Sequence, residues 1–227
     1  MRLSIVIPTL NEAATIKETL LPLQSLRRSG HQLLLADGGS EDATLSLSQP
    51  LVDHIVSSAP GRARQMNAGA RVANGDILLF LHADTRLPEE AVEQLQHSWQ
   101  QQRHWGRFDV RLSGHAWLLR VVERLMNWRS CLSGVATGDQ AIFVERQLFE
   151  GCGGYAEIAL MEDIELSKRL RRYARPVCLH TPVLTSSRRW EHYGIVRTIL
   201  LMWRLRLAYF FGADPAYLAR RYRQSDS

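Results

Sequence analysis

Short apolar runs alternate with polar, glycine-punctuated stretches from the first residues of the chain. Residues 3–7, 32–36 and 77–81 each give a brief run dominated by Leu, Ile, Val and Phe, too short to cross a membrane, and residues 53–57 give a short third strand around Ile55 and Val56. Such runs predict strands buried on both faces of a sheet. Between them the spacing turns helical. Asn11 can cap a helix from Glu12 to about Gly30, kinked at Pro22, and Ser40 can cap a second with Glu41 and Asp42 in its first turn. Residues 61–73 predict a third helix, closed by Asn74-Gly75. This order predicts βαβ units, an α/β fold and a parallel sheet.

Beyond residue 89 the pattern is looser. It predicts helices over 89–101, 115–129 and 162–172, and strands over 106–112, 140–144 and 176–179. Residues 195–211 form one last helix, with Ile195, Val196, Ile199, Leu200, Trp203, Leu207, Phe210 and Phe211 on a broad face. That face fits a core-packed helix, a homodimer contact or a membrane-surface helix. Arg206 interrupts any transmembrane reading, and the tail Arg220-Arg221-Tyr222-Arg223 favours an acidic surface. The organisation expected is one domain over 1–185 and a helical extension over 186–227.

Charge sharpens the division. Residues 1–100 carry 8 Lys/Arg against 11 Asp/Glu, whereas residues 101–227 carry 20 against 12. Lys17 and Lys168 are the only lysines, so the basic character is guanidinium, suited to bidentate phosphate contact. Cys131, Cys152 and Cys178 have no zinc-type spacing and are expected as buried free thiols in a reducing compartment. The amino terminus has too short an apolar run for a secretory signal, which makes the cytoplasm the expected address.

The candidate chemistry lies at strand ends. Thr9-Leu10-Asn11-Glu12, Asp37-Gly38-Gly39-Ser40 and His82-Ala83-Asp84 each follow an apolar run, where an open α/β sheet binds ligands. Asp84 beside His82 can hold a divalent cation, and the cation a phosphate; Asp84 can equally cap the helix that follows. Neither a Gly-x-Gly-x-x-Gly turn nor a Gly-Lys-Ser/Thr loop is present, which disfavours dinucleotide dehydrogenases and P-loop NTPases. A diphosphate would then need metal and arginine.

In these segments, together with Met161-Glu162-Asp163, the chain resembles the family 2 glycosyltransferases over roughly residues 1–175. Within them it looks most like a small bacterial branch carrying Gly61-Arg62-Ala63-Arg64-Gln65-Met66-Asn67 and Gly138-Asp139-Gln140. The resemblance implies the GT-A fold and an inverting transfer of sugar from a nucleotide-diphosphate-sugar donor to a hydroxyl acceptor, with Mn2+ or Mg2+. It implies that Thr9, Asn11, Glu12, Asp37, Gly38, Arg62, Arg64, Gln65, Asn67, His82, Ala83 and Asp84 bind the nucleotide sugar. Asp37 would accept from the base. Asp84 would ligate the metal, with His82, His180 or His192 as further ligands. Asp163, beside Glu162, would be the base. Gly138, Asp139, Gln140, Arg188, Arg189 and Trp190 would serve the acceptor and diphosphate, Arg189 as a clamp and Trp190 by stacking. Ser186 stands where processive relatives carry glutamine, which argues against a polymer synthase. The acceptor fits a lipid-linked hydroxyl at a membrane surface, and no nucleic-acid partner is expected. Two other readings compete: a sugar-phosphate nucleotidyltransferase, which would want a Gly-rich loop after the first strand, and an inactive nucleotide-sugar-binding module.

Overall fold

The structure, a computed structural model, describes residues 1–224. Its strands are β1 (Leu3–Thr9), β2 (Gln32–Asp37), β3 (His54–Ser57), β4 (Ile77–Phe80), β5 (Thr85–Arg86), β6 (Trp105–Leu112), β7 (Phe143–Glu145) and β8 (Val177–Thr185). They form one sheet in the order β3-β2-β1-β4-β7-β6-β8-β5. The helices are α1 (Ile16–Leu20), α2 (Gln24–Arg28), α3 (Thr44–Ser48), α4 (Arg62–Val72), α5 (Ala91–Gln100), α6 (Trp117–Ser133), α7 (Arg146–Gly151), α8 (Glu162–Leu170), α9 (Arg188–Tyr193), α10 (Ile195–Phe210) and α11 (Pro215–Gln224).

The first four strands in the order, β3-β2-β1-β4, are parallel, as the βαβ pattern requires. The sheet then departs from a mostly parallel one. β7 runs antiparallel to both β4 and β6, and β5 antiparallel to β8, while β6 and β8 are parallel. The reversal at β7 brings the segment before it, Gly138–Gln140, to the edge where β1, β2 and β4 end.

Alternation along the strands divides the core. Ile5, Ile7, Leu33, Leu35 and Leu79 pack with Ile16, Leu20, Ala91 and Leu95 on one face. Val6, Leu34, Ala36, Leu78 and Phe80 pack with Ala63, Met66, Ala70, Leu166 and Leu170 on the other. Residues buried on both faces in this way are what the unbroken apolar runs demanded.

Several boundaries differ from expectation, each for a local reason. The helix expected from Glu12 to Gly30 is two short helices flanking Pro22. Asn11 does not cap it: at φ 56° its Oδ1 accepts from Glu41 N instead. Ser40 is drawn to Asp37, and the next helix begins at Thr44, whose N–H is met by Asp42. The strand expected from Gln140 starts at Phe143, because Gly138–Gln140 is a 3-10 turn ending on Ala141 at φ 45°. β8 outruns its apolar stretch, since the register with β6 shifts between Phe108 and Asp109 and carries pairing on to Thr185. Cys131 and Cys178 are joined in a disulfide, α6 ending where β8 begins, and Cys152 alone is free. The argument from free thiols to a reducing compartment falls with that bond.

One glycine controls how the site-bearing helix sits. A Cβ on Gly69 in α4 would lie 2.4 Å from Val6 Cγ1 on β1. Val6 is fully buried and β-branched, so it cannot swing aside. Gly69→Ala should therefore destabilise the chain by about 1–3 kcal/mol, as overpacking of a tight core does. Val6→Ala in the same chain should return part of that loss, read as non-additivity in urea unfolding. Additive losses would show that the helix simply moves away.

Candidate active site

The edge where β1, β2 and β4 end gathers the polar segments singled out in the sequence. Asp37 closes β2 fully occupied: Oδ2 accepts from Gly39 N (2.8 Å) and Ser40 N (2.9 Å), Oδ1 from Ser40 Oγ (2.6 Å) and, at 3.5 Å, from Thr9 Oγ1. It organises the turn at the end of β2. Gln65 is a structural tie as well, donating to Thr9 O (2.6 Å) and Ala36 O (3.1 Å), with Gly38 packed against it. Asn67 clamps Tyr155 through both backbone groups, not a nucleotide. In each case a buried backbone donor or acceptor near the helix required a partner, and these amides supply it. Ala83 contributes its carbonyl to Thr19 Oγ1.

What remains open beside this scaffold is a pair of carboxylates. Glu12 is half-buried, its Oε2 accepting from Thr15 Oγ1 (3.0 Å). Burial raises its pKa, the Thr15 bond opposes, and the charge of Asp84 adds to the rise. Arg188 pulls the other way, which places its charge on this side of the cleft. Among the described residues Asp84 accepts a single 3.4 Å contact, from Thr85 Oγ1, which leaves its carboxylate open to a ligand.

The second half of the site arrives from α8 and the turn before β7. Asp163 Oδ2 accepts from Gly138 N (2.9 Å), and its Oδ1 from Ile164 N (2.7 Å). Gly138 is pressed against His82: a Cβ there would stand 2.5 Å from His82 Nε2. His82 Nδ1 meets Asp139 Oδ1 at 3.4 Å, and its Nε2 is buried without a partner. His82 is thus turned towards Asp139 and Gly138. Arg62 Nη1 lies 3.9 Å from Glu162 Oε1, and Arg64 pairs with Glu157.

The charges in this half shape one another. Burial pushes the Glu162 carboxyl up and the neighbouring Asp163 charge adds to it, while Arg62 opposes. Crowding would also raise Asp139, but the His82 hydrogen bond and the charges of His82, Arg62 and Arg206 outweigh it and hold Asp139 below the usual range.

Four further expectations are corrected. Gln140 is fully buried and donates to Ser130 Oγ and Asn127 Oδ1, so it supports the loop from beneath and cannot meet an acceptor. Trp190 packs with Leu119 and Val122, an apolar seam being a better home for indole than an open cleft. His180 is exposed and faces Asp109, and His192 lies against Tyr193; neither joins Asp84. Among the described residues no three His, Cys, Asp or Glu side chains converge on a metal position. Arg189 lies over the Tyr222 ring at 3.8 Å, holding α11 to α9. The residues the sequence did not assign to the site are Arg129 and Arg206, both coupled to Asp163. Their only signal is a charge set in an otherwise apolar helical stretch.

The profile of the group described as glycosyl transferase family 2 matches residues 4–129. A PGL/p-HBAD biosynthesis glycosyltransferase of Mycobacterium bovis is 38% identical over 94 residues, covering 38% of this chain and 36% of that protein. An undecaprenyl-phosphate 4-deoxy-4-formamido-L-arabinose transferase of Pseudomonas fluorescens is 30% identical over 103 residues, covering 40% and 30%. The matched segments thus span about a third of these relatives' lengths. Among solved structures, the mannosyltransferase PcManGT of Pyrobaculum calidifontis, in complex with GDP-Man and Mn2+, superposes with a TM-score of 0.66 at 20% identity. That match covers 95% of this chain and 66% of the other. The mixed sheet flanked by helices is therefore the GT-A fold.

Because its pKa is raised, Glu162 holds its proton more tightly in the folded chain than in the unfolded one. That contribution to stability is full below the ordinary carboxylate pKa of about 4.3 and is lost as pH rises through the raised value. Glu162→Gln, which cannot ionise, should melt above the wild type near neutral pH. The gap should close as pH falls to about 4, in thermal unfolding followed across that range. A Gln variant less stable than the wild type near neutrality would overturn this account of the Glu162–Asp163 pair.

Proposed function

The chain belongs to glycosyl transferase family 2 and is a glycosyltransferase, and from that premise we propose an inverting transfer with Asp163 as the base. One observation carries this reading. The Gly138 N–H holds Asp163 while the same glycine touches His82, two residues from Asp84. A base is thereby set beside the strand end that would face a nucleotide diphosphate. The nucleotidyltransferase and inactive-module readings have no comparable support.

In this reading Thr9, Asn11, Glu12 and the Asp37 turn frame the nucleoside, and Arg62, Arg64, Arg188 and Arg189 supply cationic charge around the diphosphate. Asp84 and the donor phosphates form a donor set suited to Mg2+ or Mn2+, which take few protein carboxylates and complete their shell with phosphate and water. When bound, such a cation would neutralise the departing diphosphate. Asp163 takes the proton from the acceptor hydroxyl. The acceptor oxygen bonds to the anomeric carbon as the bond from that carbon to the diphosphate oxygen breaks, and the nucleoside diphosphate leaves. An ordinary carboxylate suffices as base because the anomeric carbon develops cationic character before the hydroxyl yields its proton. Asp139, held low by His82, keeps a fixed negative charge beside Asp163.

Two substitutions separate donor binding from chemistry. Asp84→Asn should abolish the cation-dependent part of nucleoside diphosphate binding. Asp163→Asn should leave that binding intact and lower kcat by at least ~10²-fold, the lower end for loss of a positioned base. Equal loss of binding in the Asp163→Asn chain would make it a donor-side residue.

We also propose that α6 and α10 rest on an anionic membrane surface, where a lipid-linked acceptor would meet the site. Val196, Leu200, Trp203, Leu207, Phe210 and Phe211 of α10 face outward, Trp203 at 68% and Phe211 at 77% exposure. Of the broad face expected from the sequence, Ile195 and Ile199 pack against α6 and the rest is open, while Thr198 and Leu205 take the buried side. Trp117, Val121, Leu125, Trp128 and Leu132 of α6 add a second exposed stripe. Across the two helices Glu123 is the one acid, and Arg124, Arg197 and Arg204 are exposed. Charge complementarity favours acidic lipid over a second copy of the chain. No helix among the described residues is long and apolar enough to cross a membrane. Flotation should carry the chain with vesicles containing anionic lipid, and less so as salt rises. A chain that stays behind at low salt, or floats equally with neutral vesicles, would refute the electrostatic contact.

A further inference from the structure

The seam between α6 and α10 changes character along its length. Leu119 and Val122 of α6 pack with Ile195 and Ile199 of α10. Seven residues on from Val122 and Ile199 the helices have completed about two turns and present the same flanks again. The residues there are Arg129 and Arg206. An apolar pair gives way to two like charges on facing flanks.

Those guanidiniums are poorly served by the protein. Arg129 Nη2 and Arg206 Nε are shut off from solvent with no hydrogen-bond partner. Burial, and next the charge of Arg206, lower the Arg129 pKa to about 10. Burial lowers Arg206 too, with Asp163 and Asp139 only partly compensating. Leu or Met would continue the seam without that penalty, and removal of buried charge in favour of well-packed apolar groups is often neutral or stabilising. Paired guanidiniums with unfilled donors match the geometry and charge of a phosphate.

Building on the assignment of Asp163 as base, we infer that Arg129 and Arg206 form a seat for a phosphate group carried by the acceptor. The seat lies on the Asp163 side of the cleft, where Arg62 also answers to that carboxylate. Arg129 and Arg206 answer to Asp163, whereas Glu12 answers to Arg188 and His82. The neighbours in sequence, Trp128 and Leu207, belong to the exposed apolar stripes, so an alkyl chain attached to the phosphate would have a path along either helix. The phosphate can come from a lipid headgroup or from a soluble phosphate ester. The recognising chemistry is the same for both.

The test is thermal unfolding of the full chain titrated with inorganic phosphate, then with octyl phosphate below its micellar range, for the wild type, Arg129→Met and Arg206→Met. Phosphate should raise the wild-type Tm by linkage, and each substitution should weaken its apparent affinity roughly tenfold, the loss of one charge-assisted hydrogen bond. Without phosphate the Met variants should melt at or above the wild type. An undiminished phosphate response in both variants would overturn the seat, as would Met variants that melt well below the wild type. Competition measured on the wild type alone adds a test free of folding effects. If phosphate and a nucleoside diphosphate exclude one another, the arginines serve the donor and the inference fails; if they bind together, it stands. A wild type that binds phosphate but no nucleoside diphosphate supports the seat while counting against the donor reading. Octyl phosphate binding tenfold or more tighter than inorganic phosphate identifies a lipid source, and equal binding a soluble ester.

Discussion

The hydrogen bond from Gly138 N–H to the Asp163 carboxylate joins two halves of a site that the sheet builds separately. β1, β2 and β4 deliver Glu12, Asp37 and Asp84 by ending at one edge, and this follows from parallel pairing alone. Nothing in those strands supplies a group for the acceptor. That group comes from the first turn of α8, and what holds it is a backbone N–H on a turn that a side chain would ruin. With Gly138 against His82, the distance between the donor strand and the acceptor helix is set by contact. Every chemical role assigned here depends on that closeness.

Charge at the cleft is arranged as opposed pressures. Glu162 and Asp163 are adjacent in sequence and in the same helical turn, so the Asp163 charge raises the cost of ionising Glu162. Arg62 relieves Glu162, and His82 relieves Asp139. The first-turn position on α8 favours both acids through the helix dipole, which partly offsets their repulsion. Arg129 and Arg206 bring positive charge to Asp163, and no salt bridge among the described residues pairs either of them. A cleft with this much uncompensated charge of both signs, open to solvent yet crowded by protein, is built to receive a ligand that is itself charged.

Much of the donor half was legible in the sequence, because buried parallel strands announce themselves as unbroken apolar runs and their ends mark the ligand edge. The elements after residue 100 were legible as elements but not in their arrangement. A three-residue antiparallel strand such as β7 has no periodicity to read, and the β6–β8 bulge is invisible without the partner strand. Individual roles were harder still. Gln65, Asn67 and Gln140 have the polarity of ligand contacts, yet each is consumed by an unsatisfied backbone or side-chain group that only the folded chain brings near. Asp37 looked free for the same reason. Arg129 and Arg206 were hidden by the opposite effect: arginines in amphipathic helices are common on solvated faces, and only the packing of α6 on α10 turns these two inward.

The reversed strand β7 has an evolutionary consequence. Most donor-side groups come from the first ninety or so residues, each set after a strand, with Arg188 and Arg189 added from α9, while Gly138 and Asp163 lie on the connections that lead into and out of β7. β7 is anchored to β4 by three residue pairs. Those connections can lengthen, shorten or change composition without altering how β1, β2 and β4 pair. The recognition of one substrate is therefore mechanically insulated from that of the other. A lineage built on this plan can exchange acceptors by rewriting the second half of its chain, keeping the activated sugar it started with.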